Sequence, residues 1–123
     1  MAREATYQPT FIANREVRVV PAGWRHPKDA SGRFVPLLPE QMPELAGLPP
    51  HRTRITAYET TTEGTPISPP FTNTPEGRLR LTQHCADHYT TWGSHAADAE
   101  AWAVVLFGRS AAVTADGVVV AND

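Results

Sequence analysis

The chain reads as an α+β domain, a small and mainly antiparallel sheet with two helices packed on one face. Three stretches predict this. "RTRITAYETT", Arg52 to Thr61, alternates with the two-residue period of a strand and is rich in β-branched and aromatic residues. "ADAEAWAVVLFG" sets Ala99, Trp102, Ala103 and Leu106 at the i, i+3, i+4, i+7 spacing of one helical face. Asp116-Gly117 lies between two β-type runs, a strong short-range hairpin signal.

With 123 residues the chain has single-domain length, so residues 1–123 are expected to form one domain around one modest core. Its 12 prolines and 8 glycines predict short elements joined by long connections. Residues 1–14 read as an irregular arm, broken by Pro9. "REVRVV", residues 15–20, alternates charge with Val17 and Val19 and predicts the first strand. "WRHPKDASGRF" then reads as loop and turn, with Asp29 opening the turn and Gly32 closing it. Residues 33–38 suit a short edge strand, because Pro36 has no N–H for a central ladder. From Pro39 to Pro50 the chain is expected to cross the surface, with one helical turn near Glu44 to Ala46.

The clearest strand, 52–61, carries Ile55, Ala57 and Glu59 on one face and Thr56, Tyr58 and Thr60 on the other. After it comes a threonine-rich run with four prolines, Tyr58 to Gly77. Gly64 permits a positive φ, and Pro66, Pro69 and Pro70 favour extended backbone. Two readings of this run are open. In one it is a rigid connection presenting Glu63, Thr65 and Ser68. In the other it crosses the end of the sheet and packs through Ile67 and Phe71.

Thr74, Pro75 and Glu76 form a helix start: a capping hydroxyl, proline at the first position, and an acid near the positive end. A helix over 75–88 would put Leu79, Thr82, Ala86 and Tyr89 on one stripe, flanked by Leu81 and Cys85. Ser94 suits the next cap, and a second helix spans 97–107, ended by Gly108. Strands at 110–115 and 118–121 complete the fold. The expected core is Val17, Val19, Ile55, Ala57, Leu79, Trp102, Leu106, Phe107, Val113 and Val119.

A formal net charge of −2 argues against general nucleic-acid affinity. No run of apolar residues reaches the length that spans a bilayer, and no signal-peptide pattern opens the chain, so the expectation is a cytoplasmic protein without membrane partners. Cys85 is the single cysteine, so no intrachain disulfide can form. It reads as a small core residue rather than a nucleophile, because adjacent helical residues do not aim a base at it. His84 and His88 share a helical face at metal-binding spacing, with Asp87 beside them. "HCADH" nevertheless lacks the glutamate of a zinc-protease helix, and a polar solvated face explains it more simply. No metal, cofactor or catalytic residue is assigned. No P-loop, dinucleotide fingerprint or nucleophile elbow occurs.

Loop aromatics carry the remaining signal. Trp102 and Phe107 belong to the core, whereas Trp24 and Trp92 fall in loops, where they either pin the loop or anchor a partner. The candidate binding residues are Trp24, His26, Asp29, Arg33, Glu59, Glu63, Thr65, Ser68 and Trp92.

"VPAGWRHPKDASGRFVPLL", "YETTTEGTPISPPFTNTPEG" and "WGSHAADAEAWAVVLFG" together resemble a group of small proteins encoded by phages, prophages and their high-GC bacterial hosts. The resemblance covers about half the chain, in the same order. It implies an accessory protein of mobile elements and supplies no catalytic residues. The expected function is therefore binding to a partner protein, such as a component of host defence, with the Trp24–Arg33 and Glu59–Pro70 loops as contact surface. A second expectation is a small-ligand or nucleotide-binding domain, with hydrolysis open to it, using His26, Arg33, Glu59 and Ser68. A third is a minor virion or assembly component, which would self-associate.

Overall fold

A computed structural model describes residues 14–61, 63–88, 99–108 and 111–120. Among the described residues there are two helices and six strands in two antiparallel sheets. The expected α+β class holds, and the helices do pack on the main sheet. The C-terminal hairpin, however, forms a sheet of its own.

Strand β1 (Arg15–Pro21) pairs along its length with β2 (Thr53–Glu59), with Val17 opposite Ala57 and Val19 opposite Ile55. Two short strands, β3 (Thr65–Pro66) and β4 (Phe71–Thr72), share the other edge of β2. Helix α1 (Pro75–His88) starts where expected: the Thr74 hydroxyl accepts the Gly77 N–H at 3.0 Å and satisfies one orphan donor. Helix α2 (Ala99–Phe107) ends at Gly108. The hairpin β5 (Ala111–Thr114) and β6 (Gly117–Val120) turns at Ala115-Asp116. Both sheets pack against the same helix pair.

The main core gathers Ile55, Ala57, Leu81, Cys85, Trp102 and Leu106, with Val17, Val19, Ile67 and Phe71 packed against it. A second cluster joins Ala103, Ala111 and Val118 to Leu79, Phe107 and Val113. Among the expected core residues Val119 fails. Val113 opposes Val118, so Val119 takes the other face and is 49% exposed. The α1 stripe is also rotated from expectation: Leu81, Thr82 and Cys85 are buried and Leu79 and Ala86 only partly so. The reason is that α1 touches two sheets, which widens its buried arc. Tyr89 and Ser94 lie outside the described residues.

Two local expectations give way to turn chemistry. Residues 33–38 form no strand. Phe34 makes one isolated bridge to Lys28, the Val35 N–H donates to the Pro27 carbonyl, and Leu37 donates to Gly64. These bonds hold the segment to its neighbours without joining the sheet ladder. Near Glu44 the chain makes a tight turn instead of a helical one, with Ala46 and Gly47 both at positive φ. Single 3-10 turns occur at Pro39–Gln41 and Pro50–Arg52, where proline supplies the first φ. No helix of the described residues is long and apolar enough to cross a membrane.

Candidate functional site

The strand alternation that sends Ile55 and Ala57 toward the helices sends Arg54, Thr56 and Tyr58 to the opposite face. There they join Glu16, Arg18 and Val20 of β1. Among the described residues no helix covers this face. Two irregular segments do, and each is attached by side chains.

The Thr/Pro-rich run is one of them. Tyr58 pairs with Pro66 and Ile55 with Phe71, so four residues, Ile67 to Pro70, oppose only two, Thr56 and Ala57. The surplus forms a bulge. The Ile67 N–H still donates to the Ala57 carbonyl at 2.8 Å. The Ala57 N–H finds no ladder carbonyl and donates instead to the Ser68 hydroxyl at 3.0 Å. Ser68 in turn donates to the Pro69 carbonyl at 2.9 Å. Pro69 and Pro70 need no N–H partner and stand outward, exposed. Ile67 and Phe71 pack inward as the second reading expects, whereas of Glu63, Thr65 and Ser68 only Ser68 lines the outer side, with Pro69 and Pro70.

The second segment follows β1. His26 reaches two partners. Its Nε2 lies 2.5 Å from the Val35 carbonyl, which can only accept, so Nε2 carries the proton. Its Nδ1 then accepts the Tyr58 hydroxyl proton at 2.8 Å. The imidazole thus ties the loop to the sheet, edge-on to Trp24 and Phe34. Burial lowers its pKa, the Val35 bond opposes this, and Arg18 lowers it further. The Tyr58 hydroxyl is pushed up to about 12 by burial, although Arg18 pulls the other way. Both shifts favour the neutral pair that this bond requires.

Arg18, almost fully buried, anchors the rest. Its Nε pairs with Glu16 at 2.6 Å, its Nη1 donates to the Leu37 carbonyl at 2.8 Å, and its Nη2 to the Glu63 carbonyl at 3.0 Å. Its guanidinium also lies 4.6 Å over the Tyr58 ring. Gly64 is required beside it: φ is +145°, and any side chain would collide with the guanidinium and the Leu37 carbonyl.

Between the two segments lies a cleft of about 660 Å³. Trp24, His26, Phe34 and Tyr58 supply aromatic walls, and Pro66, Pro69 and Pro70 face them across Thr56 and Ser68. Among the described residues three cations line it, Arg25, Lys28 and Arg54, and no carboxylate does. Lys28 Nζ sits 4.9 Å over the Phe34 ring. Arg54 Nη1 donates to the Thr53 carbonyl at 2.8 Å, which holds its head at the rim of the sheet.

Of the sequence-selected residues, Trp24, His26 and Ser68 line this cleft. Asp29 does not. Its carboxylate accepts the Ser31 hydroxyl and the Ser31 and Arg33 N–H groups, which builds the turn and lowers its pKa. Arg33 is exposed beside that turn. Glu59 faces the other side of β2, near Arg15 at 3.9 Å, and accepts the Thr61 N–H. Glu63 contributes its carbonyl to Arg18, and Thr65 pairs with Glu59 in the ladder. Trp92 lies outside the described residues. Arg25, Lys28, Phe34, Arg54 and Tyr58 were not selected from sequence. The alternation of β2 already put Arg54, Thr56 and Tyr58 on one face, and that was the available signal.

The two remaining histidines of interest sit elsewhere. His84 and His88 stack at 4.3 Å, and His88 Nδ1 donates to the His84 carbonyl at 2.9 Å. Among the described residues no group of three His, Cys, Asp or Glu residues gathers at metal-binding distance. Cys85 is fully buried, and burial pushes its thiol up to about 12, which leaves it a core residue. No family model, curated protein or solved structure matches this chain.

Proposed function

We propose that the protein is a binding module that captures a partner protein in the cleft between the Trp24–Phe34 loop and the Pro66–Pro70 wall. The observation that carries this reading is the lining itself: among the described residues, four aromatic rings and three cations with no carboxylate, in a chain of net charge −2. Such a surface is held in place before any ligand arrives, by Arg18, His26 and Ser68, which reduces the ordering cost of association. Two of the groups able to do acid–base or nucleophilic chemistry, His26 and Ser68, are already engaged in that scaffolding. His26 is bonded at both ring nitrogens, and Ser68 both donates and accepts. The resemblance to phage and prophage proteins supports an accessory role in a mobile element, with a host-defence component as the natural class of target.

The test is capture from host lysate on the immobilised full chain, followed by calorimetry with the purified partner. Trp24→Ala is expected to weaken binding about tenfold or more, as for a buried interface anchor. A partner that binds Trp24→Ala unchanged, or no reproducible partner, would refute the reading.

One observation favours a second reading. A cleft of about 660 Å³ lies within the range of small-molecule sites, about 300–1,000 Å³. Aromatic walls with nearby cations also suit a nucleotide. A reproducible rise in Tm with one nucleotide class would select this reading, by mass action on the native state.

A further inference from the structure

Resting on the protein-capture reading above, we infer that the occupant of the cleft is an acidic peptide segment bearing an aromatic side chain as its anchor. The aromatic ring enters between Trp24 and Phe34 on one side and Pro69-Pro70 on the other. Flanking carboxylates face Arg25, Lys28 and Arg54.

Three features select this chemistry. Charge is the first. The cations stand on two separate elements, Arg25 and Lys28 on the loop and Arg54 on β2, so they offer a spread positive field rather than one focused pocket. A chain of several carboxylates satisfies a spread field, whereas a single phosphate group needs converging donors. The second feature is the backbone. Phosphate sites use helix N-termini or runs of glycine amides. Among the described residues no residue of α1 or α2 lines the cleft, and Gly23 is its one glycine. The third is the floor. The hydroxyls of Ser68 and Tyr58 are both committed, to Ala57 and Pro69 and to His26. Few groups remain to read the edge of a nucleobase, but rings and prolines accept an aromatic side chain without them.

Fluorescence anisotropy with labelled polymers tests the inference directly. The probes are polyglutamate, a random copolymer of glutamate and tyrosine of the same length, a thymidine oligonucleotide and ATP. The full chain is expected to bind the copolymer about tenfold more tightly than polyglutamate, and the difference should persist as salt is raised while both affinities fall. Arg25→Glu with Lys28→Glu, both exposed positions, is expected to abolish binding to both acidic polymers with circular dichroism unchanged. Trp24→Leu should erase the preference for the copolymer while leaving polyglutamate binding intact. Equal affinity for the two polymers, tighter binding of the oligonucleotide or ATP, or indifference to the double charge reversal would each overturn the inference. If the copolymer fails while a lysate partner still needs Trp24, the acidic-aromatic occupant falls and protein capture stands. If neither binds, both fall.

Discussion

The main sheet has two faces made from the same strands and closed by different forces. On one, Val17, Val19, Ile55 and Ala57 meet Leu81, Cys85, Trp102 and Leu106, and the contact is apolar burial. On the other, Arg18, Thr56 and Tyr58 are also buried, yet what covers them is loop rather than helix. That loop is held by directional bonds from Arg18, His26 and Ser68. The first face needs volume and tolerates changes in detail. The second needs particular atoms at particular places, because irregular backbone has no ladder of its own to satisfy it. A rigid cleft with concave walls forms on the second face for that reason.

Substitutions can break this contrast, beginning with the apolar side. Trp102→Ala should cost about 3–5 kcal/mol of unfolding free energy in urea titration, as other large-to-small core changes do. A cost near zero would mean that the helices are not what closes that face. Arg18→Met comes next, at about 2–3 kcal/mol, because it leaves the Leu37 and Glu63 carbonyls without their donor. Its signature is local: amide exchange should accelerate at Leu37 and Ile67 while the helices stay protected. Uniform acceleration would show that the polar face is not a separate unit.

Ser68→Ala should cost about 1 kcal/mol, since it strips the buried Ala57 N–H of its acceptor. A stabilised variant would refute the bulge as described. The smallest expected effect is on the acid limb. His26 is depressed below its ordinary 6.5, so the folded protein resists a proton that the unfolded chain accepts. Stability from this residue is present above pH about 6.5 and is lost as the pH falls through the folded value. His84 acts in the same direction. His26→Phe is expected to flatten part of that limb, and an unaltered pH profile would mean that burial does not hold the imidazole below its ordinary value.

The contrast also explains what the sequence disclosed. The helix-side face was legible because periodicity is a local signal: Ile55-Ala57 and Trp102-Leu106 announce their faces without knowledge of the rest. The cleft side was legible only at its punctuation. Trp24, His26 and Ser68 stood out as aromatic or polar residues beside prolines. Arg54 and Tyr58 did not, because a strand residue acquires a role from whatever crosses over it, and that is decided by chain far away. Asp29 reads in sequence both as a turn opener and as a candidate binding residue; its carboxylate builds the turn, and it stands outside the cleft. The hairpin lies where the sequence predicts it, but its turn falls at Ala115-Asp116, one residue before Asp116-Gly117, and Val119 takes the exposed side, because a turn signal does not say which face of the ladder is covered.

Gly77, in the first turn of α1, touches the backbone and hydroxyl of Thr72 in β4, and Gly117 at the start of β6 lies against the Pro75 carbonyl. A methyl group at either position would overlap those atoms. Three elements thus converge on one helix entrance with no slack, like a mortise cut to its tenon. In a library with every amino acid at both sites, survivors should be almost all glycine, while the neighbouring Glu76 and Asp116 drift freely.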